Sequence, residues 1–469
     1  MAAFEKDIPR GRVRRVMPLA GFTARAAGGR LIAGLQERTG SDDAVQRFHE
    51  RTAERYTELL GHSKGALMKV GQAFSMVDFA ALGNGGMVPY QKALSRLQAD
   101  APPMDSELAR EVLQAEIGLP LNEVFADFSD EPLAAASIGQ VHRAVLHDGR
   151  QVVVKVQYPG VGAAIRADLA NAELLATFFR FLTAASGMKA DIRVLACEAT
   201  SRITEELDYR HEAAMITRFS DLYRGHPFIR IPEAIPELCG DRVLTMTFLD
   251  GVNWATAQSA DQDVKNMWAE TIQRFSFSSY RQSNLFHVDP HPGNYCFYPD
   301  GSVGFLDFGC VRVLPELQRR GWIEMSRTAF DGRLDDLRDV MARMGFLDAD
   351  PTLSAAELYD WVRELLYEVF LEDQPVTYGP DTIDRVVHSL FDTRDPHSVL
   401  ARMSVPAELS LSSRVTLGIS AICGALNATL PARAIAEDLN DTAPAATTLG
   451  KAHQAWVRER GLPTALDPQ

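Results

Sequence analysis

The sequence predicts an α+β protein in which a small antiparallel sheet precedes a mainly helical region. Two apolar runs between Val141 and Gly160 are joined by Asp148-Gly149, a pair of residues that favours a tight hairpin turn. A third extended run, Arg242–Gly251, has the composition of one more strand leading into a hinge. After Gly251 the apolar spacing is mostly helical.

The remaining elements follow from helical periodicity and from residues that start or stop helices. Residues 41–77 have helical spacing with Ser41 as N-cap, and Met104–Gly118 is an amphipathic helix that Gly118 ends. Strands are expected from Glu131 to Val156, and helices from Ile165 to Leu182 and from Arg193 to Phe219. Beyond Gly251, the expected exception to helix is a hairpin over Asn294–Phe308.

Three polar residues in the second half of the chain have the spacing of a kinase catalytic loop. Asp289 and Asn294 are five residues apart, and Asp307-Phe308-Gly309 follows the predicted hairpin. Phosphoryl transfer develops charge on phosphate oxygens, which Mg²⁺ neutralises, and Asn294 and Asp307 supply the hard oxygen ligands that Mg²⁺ prefers. Asp289 is then available to orient or deprotonate an attacking hydroxyl or water.

A lysine inside an apolar strand supplies the second half of a nucleotide site. Lys155 interrupts the run Val-Val-Val-Lys-Val, where a charge needs a partner. In a kinase-like protein this lysine holds the α- and β-phosphates and pairs with a glutamate from the following helix, for which Glu212 is the best placed candidate. The alternative is an edge-strand lysine whose ammonium reaches water.

Five motifs in order resemble the UbiB family of atypical kinase-like proteins, also called the AarF or ABC1 type, over more than half of the chain. They are KxGQ at Lys69-Val70-Gly71-Gln72, the alanine-rich loop AAASIGQVHRA from Ala134, ExD at Glu206-Leu207-Asp208, the segment His211-Glu212-Ala213, and HxDxHPGN at His287–Asn294 followed by the DFG at Asp307. KxGQ alone is a weak signal, whereas the ordered set is specific.

The resemblance implies a bilobal protein-kinase-like fold, with a small antiparallel-sheet N-lobe, a helical C-lobe and an N-terminal helical extension carrying KxGQ. The implied divisions are a basic arm (1–40), the extension (41–125), the N-lobe (126–250), the C-lobe (251–440) and a polar tail (441–469).

It also implies ATP and Mg²⁺ as cofactors and a set of site residues. Asp289, Lys155 and Glu212 would be catalytic, and Asn294 and Asp307 would bind Mg²⁺. ATP would contact Ala134, Ala135, Ala136, Ser137, Ile138, Val141, Lys155, Met246, Thr247 and Leu249. The family's regulatory motifs are represented by Lys69, Gly71, Gln72, Glu206 and Asp208, and the KxGQ helix would pack over the catalytic cleft.

Departures from an ordinary protein kinase bear on the activity. The phosphate-covering loop is rich in alanine, which restricts the close backbone approach that glycine permits. Val288 stands where kinases place an arginine, and the chain after Gly309 passes almost directly into a predicted helix. These features leave no room for a peptide-docking segment.

The sequence therefore leaves several function classes open. The first is an Mg²⁺-dependent ATPase that acts on or beside isoprenoid-lipid or quinone metabolism, the association that the resemblance implies. The second is a nucleotide-dependent regulatory scaffold, and the third is a small-molecule phosphotransferase. Intact catalytic motifs favour the first, and a conventional protein kinase is the least supported. The protein partners are not predicted.

Charge and hydropathy bear on the partners. The net charge of −14 argues against nucleic-acid binding, which depends on neutralising phosphates. Residues 1–30 carry seven basic and two acidic side chains, so they could lie on an anionic membrane surface; a solvated arm is the alternative. No secretory signal or membrane span is predicted, and five cysteines without metal-binding spacing suit a reduced compartment. The expectation is a cytoplasmic protein with peripheral contact at the inner face of the membrane.

Overall fold

The computed structural model describes residues 51, 104–136, 138–169, 206–379, 382, 385, 397–404 and 407–463. These residues divide into two compact units. The first contains the described residues up to Ala213 together with Ala234–Phe248, and the second contains Ala214–Glu233 and the described residues from Leu249 onward.

The first unit is built on an antiparallel sheet with helices. Its helices are α1 (Ser106–Ile117), α2 (Leu121–Val124), α3 (Val161–Leu169) and the start of α4 (Tyr209–Leu222), and its strands are β1 (Phe125–Ala135), β2 (Gly139–Leu146), β3 (Gln151–Gln157) and β5 (Val243–Thr247). The strand order is β1-β2-β3-β5, and each neighbouring pair is antiparallel. The sheet predicted from the sequence is confirmed.

Side-chain alternation in β3 decides which face of this sheet forms the core. Val152, Val154 and Val156 lie in one buried cluster with Ala109 and Leu113 of α1. Because successive residues of a strand point to opposite faces, Lys155 lies on the face that the core does not use. The repeated valines thus serve packing on one side and leave the other side for polar contacts.

Helix α1 begins and ends at the residues that the sequence indicates. The Asp105 side chain accepts a hydrogen bond from the backbone N–H of Glu107, which satisfies an otherwise unpaired donor of the first turn. Gly118 ends the helix with φ +75°, a left-handed conformation that costs glycine little.

Two predicted boundaries in the first unit are wrong. Strand β1 begins at Phe125 and not near Glu131, because Phe125 and Phe128 are buried while shifts in its register with β2 disturb the regular alternation. The helix predicted from Arg193 to Phe219 is interrupted, within its described part, at Leu207 and Asp208.

The second unit is mainly helical and contains short strands. Its helices, after the rest of α4, are α5 (Trp254–Ala257), α6 (Gln262–Gln282), α7 (Glu316–Phe330), α8 (Leu334–Arg343), α9 (Ala355–Leu365), α10 (Tyr367–Phe370), α11 (Val399–Arg402), α12 (Ala407–Ala425), α13 (Ala432–Leu439) and α14 (Thr448–Arg460). Its strands are β4 (Ile229–Arg230), β6 (Leu285–His287), β7 (Tyr295–Phe297), β8 (Val303–Phe305), β9 (Val311–Val313), β10 (Val376–Thr377) and β11 (Thr429–Leu430).

The second unit contains more strands than the single hairpin that the sequence predicts. That hairpin is present as β7-β8, and β4 adds to it in parallel. The pairs β6-β9 and β10-β11 were not predicted, because runs of two or three residues carry no readable periodicity.

Aromatic side chains organise the core of the second unit around α6. Phe275 of α6 stacks on Phe305 of β8, with 3.6 Å between ring centroids, and also contacts Phe219 of α4 and Tyr223, the first residue after that helix. This packing explains why Ala214–Glu233, predicted within the N-lobe boundaries 126–250, belong to the helical unit.

The predicted polar tail contains a packed helix. In α14, His453, Trp456 and Val457 are buried, and the Trp456 indole N–H donates to the carbonyl of Arg224. Polar residues lie between the buried ones along this helix. The polar composition of the segment therefore did not reveal that the helix is amphipathic.

Several predictions fall outside the described residues. Among them are the basic arm, the KxGQ motif at Lys69, Gly71 and Gln72, Ser137, Cys197, and the helical extension up to residue 103 apart from Arg51. No helix in the described ranges combines the length and apolarity needed to cross a membrane.

Candidate active site

One face of the first unit's sheet brings together several residues predicted to bind ATP. Lys155 of β3 lies opposite Val141 of β2, and Val141 lies opposite Ala134 of β1. Residues directly opposite in antiparallel strands share a face. Met246 of β5 lies opposite Val153, two residues before Lys155, and therefore shares this face as well.

Lys155 is paired with the predicted glutamate. Its Nζ donates to Oε1 of Glu212 at 2.6 Å, and the two side chains are 12% and 6% exposed. The alternative of a strand lysine reaching water is therefore wrong. An ion pair so far removed from water requires close geometry to offset the desolvation of both charges.

Asp208 of the ExD motif positions the helix that carries Glu212. Its side chain accepts from the backbone N–H of His211 at 2.9 Å, and its carbonyl accepts from the N–H of Glu212. This capping competes with helix continuation and explains the interruption before Tyr209. The preceding residue, Leu207, accepts from the Gln157 side chain, so the turn is tied to the end of β3.

The alanine-rich segment, predicted as a loop from Ala134, begins in a strand: Ala134 and Ala135 end β1, and β2 begins at Gly139. The glycine has a steric role. Ala136 and Gly139 exchange backbone hydrogen bonds, and Ile138 is buried. A Cβ on Gly139 would lie 2.1 Å from the carbonyl oxygen of Val156, so glycine allows the start of β2 to pair closely with the end of β3. Gln140 next to it is buried and bonds both main-chain groups of Met104.

Of the predicted hinge residues, Thr247 belongs to the first unit and Leu249 to the second. Thr247 lies opposite Val152 at the end of β5, and the N–H of Phe248 donates to the Gln151 carbonyl. Leu249 is the first residue of this stretch in the second unit, where its side chain packs over Gly304.

In the second unit, two short strands fix the ends of the catalytic segment. His287, in β6, lies opposite Val311 of β9, and the N–H of Val288 donates to the carbonyl of Cys310. The His287 ring is buried and its Nε2 lies 2.8 Å from the carbonyl oxygen of Asp307. Burial lowers the pKa of His287, so the ring is neutral and donates to this carbonyl.

Asp289 and Asn294 are brought together by a single turn of 3₁₀ helix, Pro292–Asn294. The Asn294 Nδ2 donates to Oδ2 of Asp289 at 3.1 Å. Oδ1 of Asp289 forms an ion pair with the guanidinium of Arg414. Asp289 is thus held through both carboxylate oxygens.

The DFG segment is anchored by its aromatic residue. Phe308 is fully buried against Phe219 and His287. Oδ1 of Asp307 accepts from the N–H of Gly309 at 3.0 Å, which orients the carboxylate. His291 adds a neutral ring nearby: its Nδ1 accepts from the N–H of Gly293, and its pKa is lowered by burial against the opposing effect of the two aspartates.

Arg414 is the site residue that sequence reasoning missed. In the sequence, Arg414 is a lone charge within the mostly apolar run from Leu409 to Leu430. The available signal was that same isolation, since a lone arginine in an apolar helix requires an acidic partner. Its partner, 125 residues earlier in the chain, could not be read from local pattern.

An antiparallel sheet with a lysine–glutamate pair, and a helical unit with a catalytic-loop aspartate and a DFG, define a kinase-like protein. Residues 96–341 match the family described as the ABC1 atypical kinase-like domain. The chain belongs to this family, of the UbiB type, and the protein-kinase-like fold class is confirmed.

The curated relatives include proteins that are named as kinases. The mitochondrial atypical kinase COQ8B of Rattus norvegicus is 27% identical over 469 residues, covering 98% of this chain and 84% of the relative. The chloroplastic protein ACTIVITY OF BC1 COMPLEX KINASE 1 of Arabidopsis thaliana is 33% identical over 270 residues, covering 56% of this chain but 39% of the relative.

A solved structure is also similar. It is the Rv3197–erythromycin complex from Mycobacterium tuberculosis, with a TM-score of 0.59 and 30% identity, covering 86% of this chain and all of that chain.

Proposed function

We propose that this protein binds ATP with Mg²⁺ and hydrolyses it, in support of isoprenoid-lipid or quinone metabolism at a membrane surface. The observation that carries the proposal is the Lys155–Glu212 ion pair, 2.6 Å long and largely removed from water. Packing alone does not require a charged pair on a strand of valines. A lysine held in this way presents a fixed positive charge to phosphate oxygens.

The residues of the second unit fit Mg²⁺. The amide oxygen of Asn294 and the carboxylate of Asp307 are hard donors of the kind that Mg²⁺ binds, and the Asn294 nitrogen is already used in its bond to Asp289. When bound, Mg²⁺ neutralises the charge that develops on the transferring phosphate. Nucleotide oxygens and water would supply its remaining ligands.

Each remaining residue has a role in this proposal. Lys155 braces the phosphates, and Glu212 holds Lys155 in place. Asp289 accepts a hydrogen bond from the attacking water and orients it. The adenine contacts the backbone near Thr247 and Leu249. Met246 and Val141 supply apolar surface, and the segment of Ala134, Ala135, Ala136, Ser137 and Ile138 covers the phosphates.

The short connection after the DFG supports hydrolysis or small-molecule transfer over protein phosphorylation. Helix α7 begins at Glu316, seven residues after Gly309, and three of the intervening residues form β9. A protein kinase needs a longer segment here to dock a peptide. A water molecule needs no such platform.

The membrane part of the proposal rests on the sequence of the N-terminal arm. Basic residues near a modest apolar face bind anionic lipid through charge and are sensitive to salt. Removal of residues 1–30 should therefore weaken sedimentation with anionic liposomes at low salt and leave little difference at high salt. Equal binding by the truncated and full-length chains would favour a solvated arm. A cytoplasmic protein with such peripheral contact is the localisation that we propose.

A second candidate function has one specific observation in its favour. The structurally similar Mycobacterium tuberculosis protein was solved in complex with erythromycin. This supports small-molecule binding or phosphotransfer as the alternative for this chain. A regulatory scaffold, in which nucleotide binding without turnover changes the conformation, is the remaining alternative.

The decisive experiment measures ATP hydrolysis by the full-length protein with Mg²⁺, with and without anionic liposomes that carry a quinone-like phenol. The proposal expects turnover that lipid stimulates and that Asp307→Asn abolishes. Binding of nucleotide without hydrolysis in either condition would support the scaffold. Phosphate transfer to erythromycin in place of water would support the second candidate.

A further inference from the structure

The Asp289 carboxylate is held by a residue from a distant helix. Asn294 Nδ2 donates to Oδ2 of Asp289 at 3.1 Å, while the guanidinium of Arg414 pairs with Oδ1. The Asp289 and Arg414 side chains are 25% and 20% exposed. An ion pair in this environment is screened by water less than a surface pair.

The backbone of the same helix is also fitted to the catalytic loop. Gly418 lies one helical turn after Arg414, so both residues occupy one face of α12. A Cβ on Gly418 would lie 2.5 Å from Cγ of Pro290 and 2.9 Å from its carbonyl oxygen. A side chain here would separate α12 from the loop. Helix α12 thus contacts two adjacent residues of the loop. Arg414 pairs with the charge of Asp289, and the backbone at Gly418 lies close to Pro290.

Helix α12 is held in place by buried side chains. Val415, Ile419 and Ile422 are buried on it, and Cys423 lies within 3.8 Å of the Gln273 side chain of α6. A guanidinium carried by a packed helix has less freedom to lose when it holds a partner than one on a loop.

We propose that Arg414 is a positioning residue of the active site, which rests on the proposed function because Asp289 is the residue that it orients. Arg414 and Asn294 together fix the plane of the Asp289 carboxylate. A carboxylate offers about four acceptor positions, so these two bonds leave positions for the attacking water. Arg414 therefore directs Asp289 and does not block it.

The first test compares turnover with nucleotide binding in the full-length protein. Arg414→Met should lower kcat for ATP hydrolysis by about tenfold or more, while KM and Kd for Mg-ATP change by less than about threefold. Arg414→Lys should keep part of the activity, because it retains the charge without the planar fork. Guanidinium ion added to Arg414→Ala should restore part of the lost turnover.

A matched control and a second variant separate positioning from stability. Arg402 is 25% exposed and pairs with Asp350 and Glu357 in the same unit, outside the predicted site. Arg402→Met should leave kcat unchanged. Gly418→Ala should also lower kcat, as Arg414→Met does, because the added methyl group pushes α12 away from Pro290.

Two results would overturn the inference. One is an unchanged kcat in Arg414→Met, and the other is a parallel loss of nucleotide affinity and turnover, which would indicate a structural role. If the wild type does not hydrolyse ATP, the proposed function itself fails. Crystal structures of the wild type and Arg414→Met then decide the matter. A displaced Asp289 carboxylate in the variant supports the positioning role, and an unmoved one refutes it.

Discussion

Lys155 and Glu212 form an ion pair across 57 residues of sequence, with 2.6 Å between Nζ and Oε1. The lysine lies in a strand whose valines fill the core on the opposite face, and the glutamate lies in the first turn of a helix that Asp208 caps. Strand alternation and helix capping thus each place one partner. The pair is the strongest structural link between this fold and nucleotide chemistry.

Replacing one residue of the Lys155–Glu212 pair should destabilise the protein more than replacing both. Glu212→Gln or Lys155→Met alone should lower the free energy of unfolding by about 3 kcal/mol, because one charge loses its partner in a site with little water. The double variant Lys155→Met/Glu212→Gln should cost less than the sum of the single changes. Denaturant unfolding of the three variants measures the difference.

The control for that cycle is an exposed pair in the same unit. Arg210 and Asp241 form an ion pair with side chains 63% and 77% exposed. Arg210→Gln should leave the stability essentially unchanged, because water screens surface pairs. Additive costs in the Lys155–Glu212 cycle would show that the two charges are not coupled.

Asp307→Asn should abolish Mg²⁺-dependent nucleotide binding while the fold stays intact. The substitution removes a negative charge and a hard ligand but preserves volume, and the amide oxygen can still accept from Gly309. Titration with ATP in the presence and absence of Mg²⁺ measures the effect. Asp300→Asn, in the exposed turn of the same hairpin, is the matched control and should bind normally. An unchanged hydrolysis rate in Asp307→Asn would refute the metal assignment.

Asp289→Asn should separate binding from turnover. Nucleotide affinity should stay largely the same, whereas hydrolysis should fall by about 10²–10⁴-fold, the usual range for loss of a general base. Steady-state kinetics together with equilibrium binding distinguish the two effects. Equal losses of affinity and rate would mean that Asp289 serves binding and not the chemical step.

Two buried histidines make the stability of the second unit sensitive to acid. His226 Nε2 and His453 Nδ1 are 2.9 Å apart, and Nδ1 of His226 accepts from the backbone N–H groups of Phe228 and Ile229. Burial lowers the pKa of His226 to about 2 and that of His453 to about 3, with Arg274 acting in the same direction. Both rings are therefore neutral in the folded protein.

Stability should fall as the pH decreases below the ordinary histidine pKa of 6.5. Below that value the unfolded chain takes up protons that the folded chain does not, so each histidine contributes a loss of about 1.4 kcal/mol per pH unit until its folded pKa is reached. Denaturant unfolding from about pH 7.5 to about pH 5 measures how the free energy of unfolding depends on pH. His453→Gln should take up about one proton fewer on unfolding than the wild type, so its free energy of unfolding should depend less steeply on pH. His147→Gln, an exposed histidine of the first unit, is the control. An identical slope in His453→Gln and wild type would contradict the prediction.

Local rules predicted the elements whose causes are local. Gly118 ends α1, Asp148-Gly149 turns the β2-β3 hairpin with Gly149 at φ +87°, and the hairpin before the DFG is present. The same rules failed where an element was too short or irregular to show a period. Strands β6 and β9 have three residues each, and the register shifts of β1 hide its alternation.

By itself, the sequence determined the candidate chemistry of this protein, because spacing along the chain decides which oxygen and nitrogen groups a catalytic loop can present. Asp289, Asn294 and Asp307 were identified from their spacing. Lys155 was identified as a charge inside an apolar strand, and Glu212 as its best placed partner. Only the tertiary structure decided what holds them. Arg414 reaches Asp289 from 125 residues away, and Gly139 is required by a carbonyl of a neighbouring strand. Such contacts depend on packing between distant segments, which no local pattern encodes.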